Sequence, residues 1–192
     1  MKIFKAFKSS LRKSNKGFTL IEMTVSIFII GMILGLMLAN YKYGQKSSEL
    51  KVAALKVAGD IRRAQNYAMS LKASKNSAAI MGGWGIHFDK SSGVYSIFAD
   101  NLDDPAVFPD GNKTYETAEM EEDISLPNNI QISAINIIPA SDILDIVFSP
   151  PDPVTYLNTS SSTVASITLQ EKSGNATSTI MINPFGLIEV LN

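Results

Sequence analysis

Cysteine is absent from all 192 residues. That excludes a disulfide framework, a thiol nucleophile and zinc sites built on thiolates, while leaving the compartment open. Histidine occurs once, at His87. A histidine metal cluster therefore cannot form, and any Ser–His–Asp relay would have to use this one ring; alone in a strand it reads as a surface or packing residue. No proline precedes Pro105, so nothing in that stretch must break a helix. No acid precedes Glu22, and past Lys75 the only bases are Lys90, Lys113 and Lys172. Sequence-independent binding of nucleic acid draws on Lys and Arg meeting phosphates, so the downstream part is poorly equipped for it. Gly82-Gly83-Trp84-Gly85 lacks the lysine and Ser/Thr of a phosphate-binding loop. It reads instead as a strand with a packed tryptophan.

What is present is strongly polarised. The net charge of −1 conceals a basic first part and an acidic second part: of 17 Lys+Arg, 14 lie at or before Lys75, whereas of 18 Asp+Glu only Glu22, Glu49 and Asp60 do. Such asymmetry fits one end near an anionic surface and another in solution. The apolar share of 45% and mean hydropathy of +0.10 are those of a folding chain with room for one domain and an appendage.

The appendage is at the N-terminus. Lys2, Lys5, Lys8, Arg12, Lys13 and Lys16 precede Gly17 without an acid among them, and Phe18 to Ala39 is then almost wholly apolar. At about 1.5 Å per residue that run makes a helix of roughly 33 Å, the thickness of a bilayer's hydrocarbon core. The basic flank should remain cytoplasmic, with everything after the span on the far side. A secretory signal would be cut after the apolar run at small residues. None of that pattern follows Ala39, so the run is expected to stay as an anchor.

Glu22 is the exception within the span. A carboxylate there costs on the order of 3 kcal/mol to insert, and intramembrane charges usually mark a function and need a partner. Nothing else in the span is ionisable. A cut between Gly17 and Phe18 would create an amine four residues from Glu22. A neighbouring copy, shifted along the helix axis, could then offer its own amine to this carboxylate.

Lys16-Gly17-Phe18-Thr19-Leu20-Ile21-Glu22, behind a basic leader and ahead of an apolar helix, resembles the processing site of type IV prepilins and type II secretion pseudopilins. The resemblance implies a structural subunit and not an enzyme. It implies cleavage by a prepilin peptidase after Gly17, N-methylation of Phe18 and an assembly role for Glu22. The implied partners are the peptidase, other pilin or pseudopilin subunits, the inner-membrane assembly platform and membrane lipid. The precursor would sit in the inner membrane and pass into a pilus or pseudopilus. Gly31 and Gly35 form a small-xxx-small pair that can mark tight helix packing, though glycine is also simply more common in membrane helices.

Beyond the span, Leu50, Ala54, Val57, Ile61, Ala64, Ala68 and Leu71 recur at helical spacing, with Lys51, Lys56, Arg62, Arg63 and Lys72 off that stripe. One helix is expected from about Phe18 to Leu71. The remainder reads as strands at 77–88, 94–99, 130–138, 144–148, 164–171 and 179–191. Asp89 to Gly93 is read as a hairpin turn with glycine at a positive φ, Gly174-Asn175 as the site of another, and 101–123 and 149–163 as loops. The expected fold is α+β, a pilin-like lollipop: a leader at 1–17, a span at 18–39, a helical stem at 40–72 and an acidic antiparallel β head at 73–192. That order, with Gly83–Asp89 and Asn183-Pro184-Phe185-Gly186, resembles minor pseudopilins and pilins of the GspH/FimT type.

Asp100, Asn101, Asp103, Asp104 and Asp110 crowd one loop with hard oxygen ligands that calcium would accept. Their spacing is not that of an EF-hand, and Asp and Asn form turns in any case. No other cofactor is indicated. An alternative role is a DNA-uptake or adhesion module displayed on a fibre tip, which would need a basic or aromatic patch that the head's few lysines do not supply.

Overall fold

A computed structural model describes residues 17–75, 82–100, 111–150 and 154–191, with the side chains of 39–47 outside that set. The basic leader before Gly17, residues 77–81, and Asn101, Asp103, Asp104 and Asp110 lie outside the described residues. By contacts the chain divides into two units, Met1–Tyr43 and Gly44–Asn192.

Helix α1 runs Leu20–Met69, close to the expected span. In the first unit every described residue from Gly17 to Leu38 is exposed. Leu20–Leu38 is long and apolar enough to cross a membrane, with a mean hydropathy of 2.3. Its two hydroxyls are satisfied locally: Thr24 Oγ1 donates to the Leu20 carbonyl at 3.0 Å and Ser26 Oγ to the Glu22 carbonyl at 2.7 Å. Such back-bonding removes the cost of a bare hydroxyl in an apolar medium.

The second unit carries nine strands, all paired antiparallel. They are β1 Trp84–Asp89, β2 Val94–Ala99, β3 Met120–Ser125, β4 Ile130–Asn136, β5 Ile143–Ser149, β6 Val154–Leu157, β7 Ala165–Glu171, β8 Thr177–Ile182 and β9 Ile188–Leu191. Two sheets form, ordered β3-β2-β1-β5-β6 and β4-β7-β8-β9. One core joins both sheets to the helix: Leu50, Ala53, Ala54, Val57, Ala58, Ile61, Ala64 and Ala68 pack with Trp84, Ile86, Phe88, Tyr95, Ile146, Phe148, Ile167 and Ile180 among others. Six of the seven expected stripe residues are in it. Leu71 is not, because α1 ends at Met69 and Leu71 sits exposed in the left-handed conformation at φ 49.

Polar ties fix the helix on the sheets. Arg62 Nη2 donates to the Ile188 carbonyl at 2.9 Å, Tyr95 Oη donates to Asp60 Oδ2 at 2.6 Å, and Trp84 Nε1 donates to the Lys72 carbonyl at 2.9 Å. The Tyr67 ring meets Trp84 edge-on at 5.0 Å between centres.

Two stretches expected as loops contain strands. β3 lies within 101–123 and beyond it, and β6 lies within 149–163. Both are edge strands. The segment Met120-Glu121-Glu122-Asp123 buries only Ile124 behind it, so alternation gives no signal there. Charged residues suit an edge because they oppose pairing with another chain. The run 179–191 is divided between β8 and β9 by a tight turn in which Asn183 Oδ1 accepts the Phe185 and Leu187 N–H groups at 3.0 Å each. Gly186 stands there at φ 75. The β1–β2 turn is closed by Asp89, whose Oδ1 accepts both the Ser91 N–H and its hydroxyl at 2.8 Å. Gly93 is not at positive φ, so the aspartate, not the glycine, makes the bend.

Candidate functional site

The N-terminal end of α1 is built from Thr19 and Glu22. Four amide N–H groups at a helix start lack intrahelical partners, and these two residues answer them reciprocally. The Glu22 N–H donates to Thr19 Oγ1 at 3.3 Å, while Glu22 Oε2 accepts the Thr19 N–H and hydroxyl at 3.4 Å each. This is a capping box, Thr-x-x-Glu, and the acid also faces the positive end of the helix dipole. The contacts are long and exposed, so the carboxylate is oriented but still open to a stronger, charged donor. Sequence reasoning singled out Glu22 and missed Thr19, although the Thr-x-x-Glu spacing was on view.

Phe18 and Gly17 stand exposed just ahead of this cap, and among the described residues nothing lies within 4 Å of a Cβ built on Gly17. The same openness holds at Gly31 and Gly35. Space beside these two glycines is therefore open, and no described residue of the chain fills it.

Asp100, the one described member of the acidic loop, is wholly buried. Its Oδ1 accepts the Asn112 N–H at 3.1 Å; Oδ2 accepts the Lys113 N–H at 3.2 Å and lies 3.3 Å from Lys113 Nζ. Burial pushes its carboxyl above the ordinary range, with Lys113 pulling the other way. In this structure the Asp100 carboxylate is engaged by Lys113 and two main-chain N–H groups, while Asp103 and Asp104 lie outside the described residues. Among the described residues no group of three His, Asp or Glu is placed to hold a metal.

His87 has a more definite setting than a surface ring. On the side of the first sheet away from α1, a polar row crosses the strands: Asp123, Ser96, His87 and Asp145 stand in register on β3, β2, β1 and β5. His87 Nδ1 is 2.6 Å from Asp145 Oδ1, and the ring stacks on Tyr115 at 4.3 Å. Ser96 donates its hydroxyl to Asp123 Oδ1, not to the imidazole. The row fastens strands and the Tyr115 segment together, and it holds no activated nucleophile.

The chain thus joins a membrane-length helix opening on a capped carboxylate to an antiparallel β unit. Residues 12–38 match the family model described as prokaryotic N-terminal methylation motif. This segment thus carries the pattern of a prokaryotic N-terminal methylation motif. The minor pseudopilin EpsH from the type 2 secretion system of Vibrio cholerae is a similar solved structure, at 11% identity and a TM-score of 0.41, covering 74% of this chain and 96% of that one. At that distance no residue role passes from one to the other. No curated protein matches the chain.

Proposed function

We propose that the protein is a prepilin-like structural subunit, cut between Gly17 and Phe18, N-methylated on Phe18 by a prepilin peptidase and assembled as a minor component of a type IV pilus or type II secretion pseudopilus. The precursor inserts with its basic leader in the cytoplasm and its β unit on the far side of the inner membrane. There the assembly platform draws it from lipid into contact with other pilin-like subunits.

The observation that carries this reading is Glu22. It is the only ionisable residue between Phe18 and Ala39, and among the described residues its side chain is held by Thr19. A neutral cap orients a carboxylate without neutralising it. In an apolar surround the remaining charge calls for a cation, and the amine exposed by cleavage on a neighbouring subunit provides one. Glu22→Ala is expected to leave cleavage intact and to abolish incorporation into filaments, read by shearing and immunoblot. Normal incorporation of that variant contradicts the proposal. Gly17→Trp is expected to accumulate the uncut precursor, since an enzyme gripping extended backbone at this point has room for hydrogen and not for an indole. Mass analysis of the N-terminus reads the result directly, and a wild-type chain retaining Met1 with no methylated Phe18 would refute the processing step.

A further inference from the structure

β2 ends at Ala99, and Asp100 follows it into the interior; the chain comes back at Gly111 to lay Asn112 and Lys113 against that same carboxyl. The enclosure is unusually complete. Asp100 is 0% exposed and Lys113 9%. Lys113 Nζ donates to the Gly82 carbonyl at 2.7 Å and lies 5.5 Å from the centre of the Tyr156 ring. Two glycines let the backbone close in: a Cβ on Gly111 would meet Asp100 Oδ1 at 2.3 Å, and one on Gly82 would meet the Asp100 carbonyl oxygen at 1.8 Å.

Removing both charges from water carries a penalty of several kcal/mol per ion, which an ion pair recovers only in part. The enclosure holds Nζ and the carboxyl in contact at 3.3 Å, away from water; passage of one proton from the ammonium to the carboxylate would make them an amine facing an acid, the two reactants of an amide. We propose that Lys113 and Asp100 condense into an intramolecular amide that locks the base of the connection between β2 and β3. The Nζ lone pair attacks Asp100 Cγ; one C–N bond forms and one C–O bond breaks. The departing oxygen leaves as water, carrying two protons that both came from Nζ. Nothing is oxidised or reduced. The Asn112 and Lys113 N–H groups stand at the carboxyl oxygens where negative charge develops in the tetrahedral intermediate, and the Gly82 carbonyl orients the attacking nitrogen. A chain without cysteine would thereby gain a covalent cross-link of the kind that restricts the unfolded state.

The test uses the full chain purified from membranes and then denatured, and its outcome does not depend on processing at Gly17. Digestion at Asp103, Asp104 and Asp110 is expected to give a branched peptide joining Asp100 to Lys113, lighter by one water than its two parts and uncut by trypsin after Lys113. Lys113→Arg is expected to restore the full mass. Two separate peptides of unmodified mass from the wild type would overturn the proposal. So would a water loss that persists in Lys113→Arg, since that would be a cyclised aspartate.

Discussion

The two ends of α1 treat apolar side chains in opposite ways. From Leu20 to Leu38 none of the span is buried within the chain, whereas from Leu50 to Ala68 eight apolar residues are covered by the sheets. The second stretch is one-sided and leaves its other face to Lys51, Lys56 and Arg62; the first is apolar all round. Burying apolar surface is worth about 25 cal/mol per Å², and only the second stretch collects that within its own chain. On the proposed function, what must come from outside is lipid before assembly and other helices after it. One half of the helix is folded by the head, and the other is completed by its surroundings.

The comparison breaks most readily by trimming each half. Trp84→Ala removes the largest fully buried side chain, its hydrogen bond to the Lys72 carbonyl and the edge contact with Tyr67. A loss of about 3–5 kcal/mol is expected in chemical denaturation of the detergent-solubilised chain followed by tyrosine and circular-dichroism signals. Leu34→Ala, on an exposed position of the span, is expected to leave that transition unmoved. A shift comparable to that of Trp84→Ala would show that the span is held by the head after all.

A smaller effect separates two residues only two positions apart. Ala54 is fully buried, while Val52 is 65% exposed. Ala54→Leu forces three extra carbons between helix and sheets and should cost about 1–3 kcal/mol. Val52→Leu should fall within about 0.5 kcal/mol of the wild type in the same assay. Equal costs at the two positions would mean that the helix is rotated from the placement described.

The contrast within α1 was legible in the sequence because period and composition are local properties. The change from an all-apolar run to a 3.6-residue stripe predicted the helix within two residues at either end, and Trp84 was read as packed. The strands that escaped are β3 and β6. Each is an edge strand whose pairing rests on main-chain groups, and the first presents acids where an apolar alternation would be sought. The division into two sheets was not foreseen either, since β5 pairs with β1 across a gap that hairpin logic does not bridge. The same gap hides the His87–Asp145 contact, which joins residues 58 apart, and the Asp100–Lys113 pair was invisible because a loop rich in aspartate looks solvated. At the N-terminal site the acid stood out against its apolar neighbours. Thr19 did not, because its role depends on where the helix begins.

The finest distinction concerns Gly31 and Gly35. A Cβ at either position meets nothing within 4 Å, so no described residue of the chain requires their smallness. Alanine favours a helix over glycine by about 1 kcal/mol per residue, and Gly31→Ala with Gly35→Ala should leave the head's denaturation unchanged while slightly firming the span. If the two glycines admit a neighbouring helix, two added methyl groups hold the backbones apart. Incorporation into filaments then falls while processing and head stability stay as they were. If they serve only as ordinary membrane-helix residues, incorporation is unaltered or improved. Shearing and immunoblot of the double variant beside Glu22→Ala distinguishes a contact surface from a mere lack of side chains, since the first result requires a partner that the isolated span does not possess.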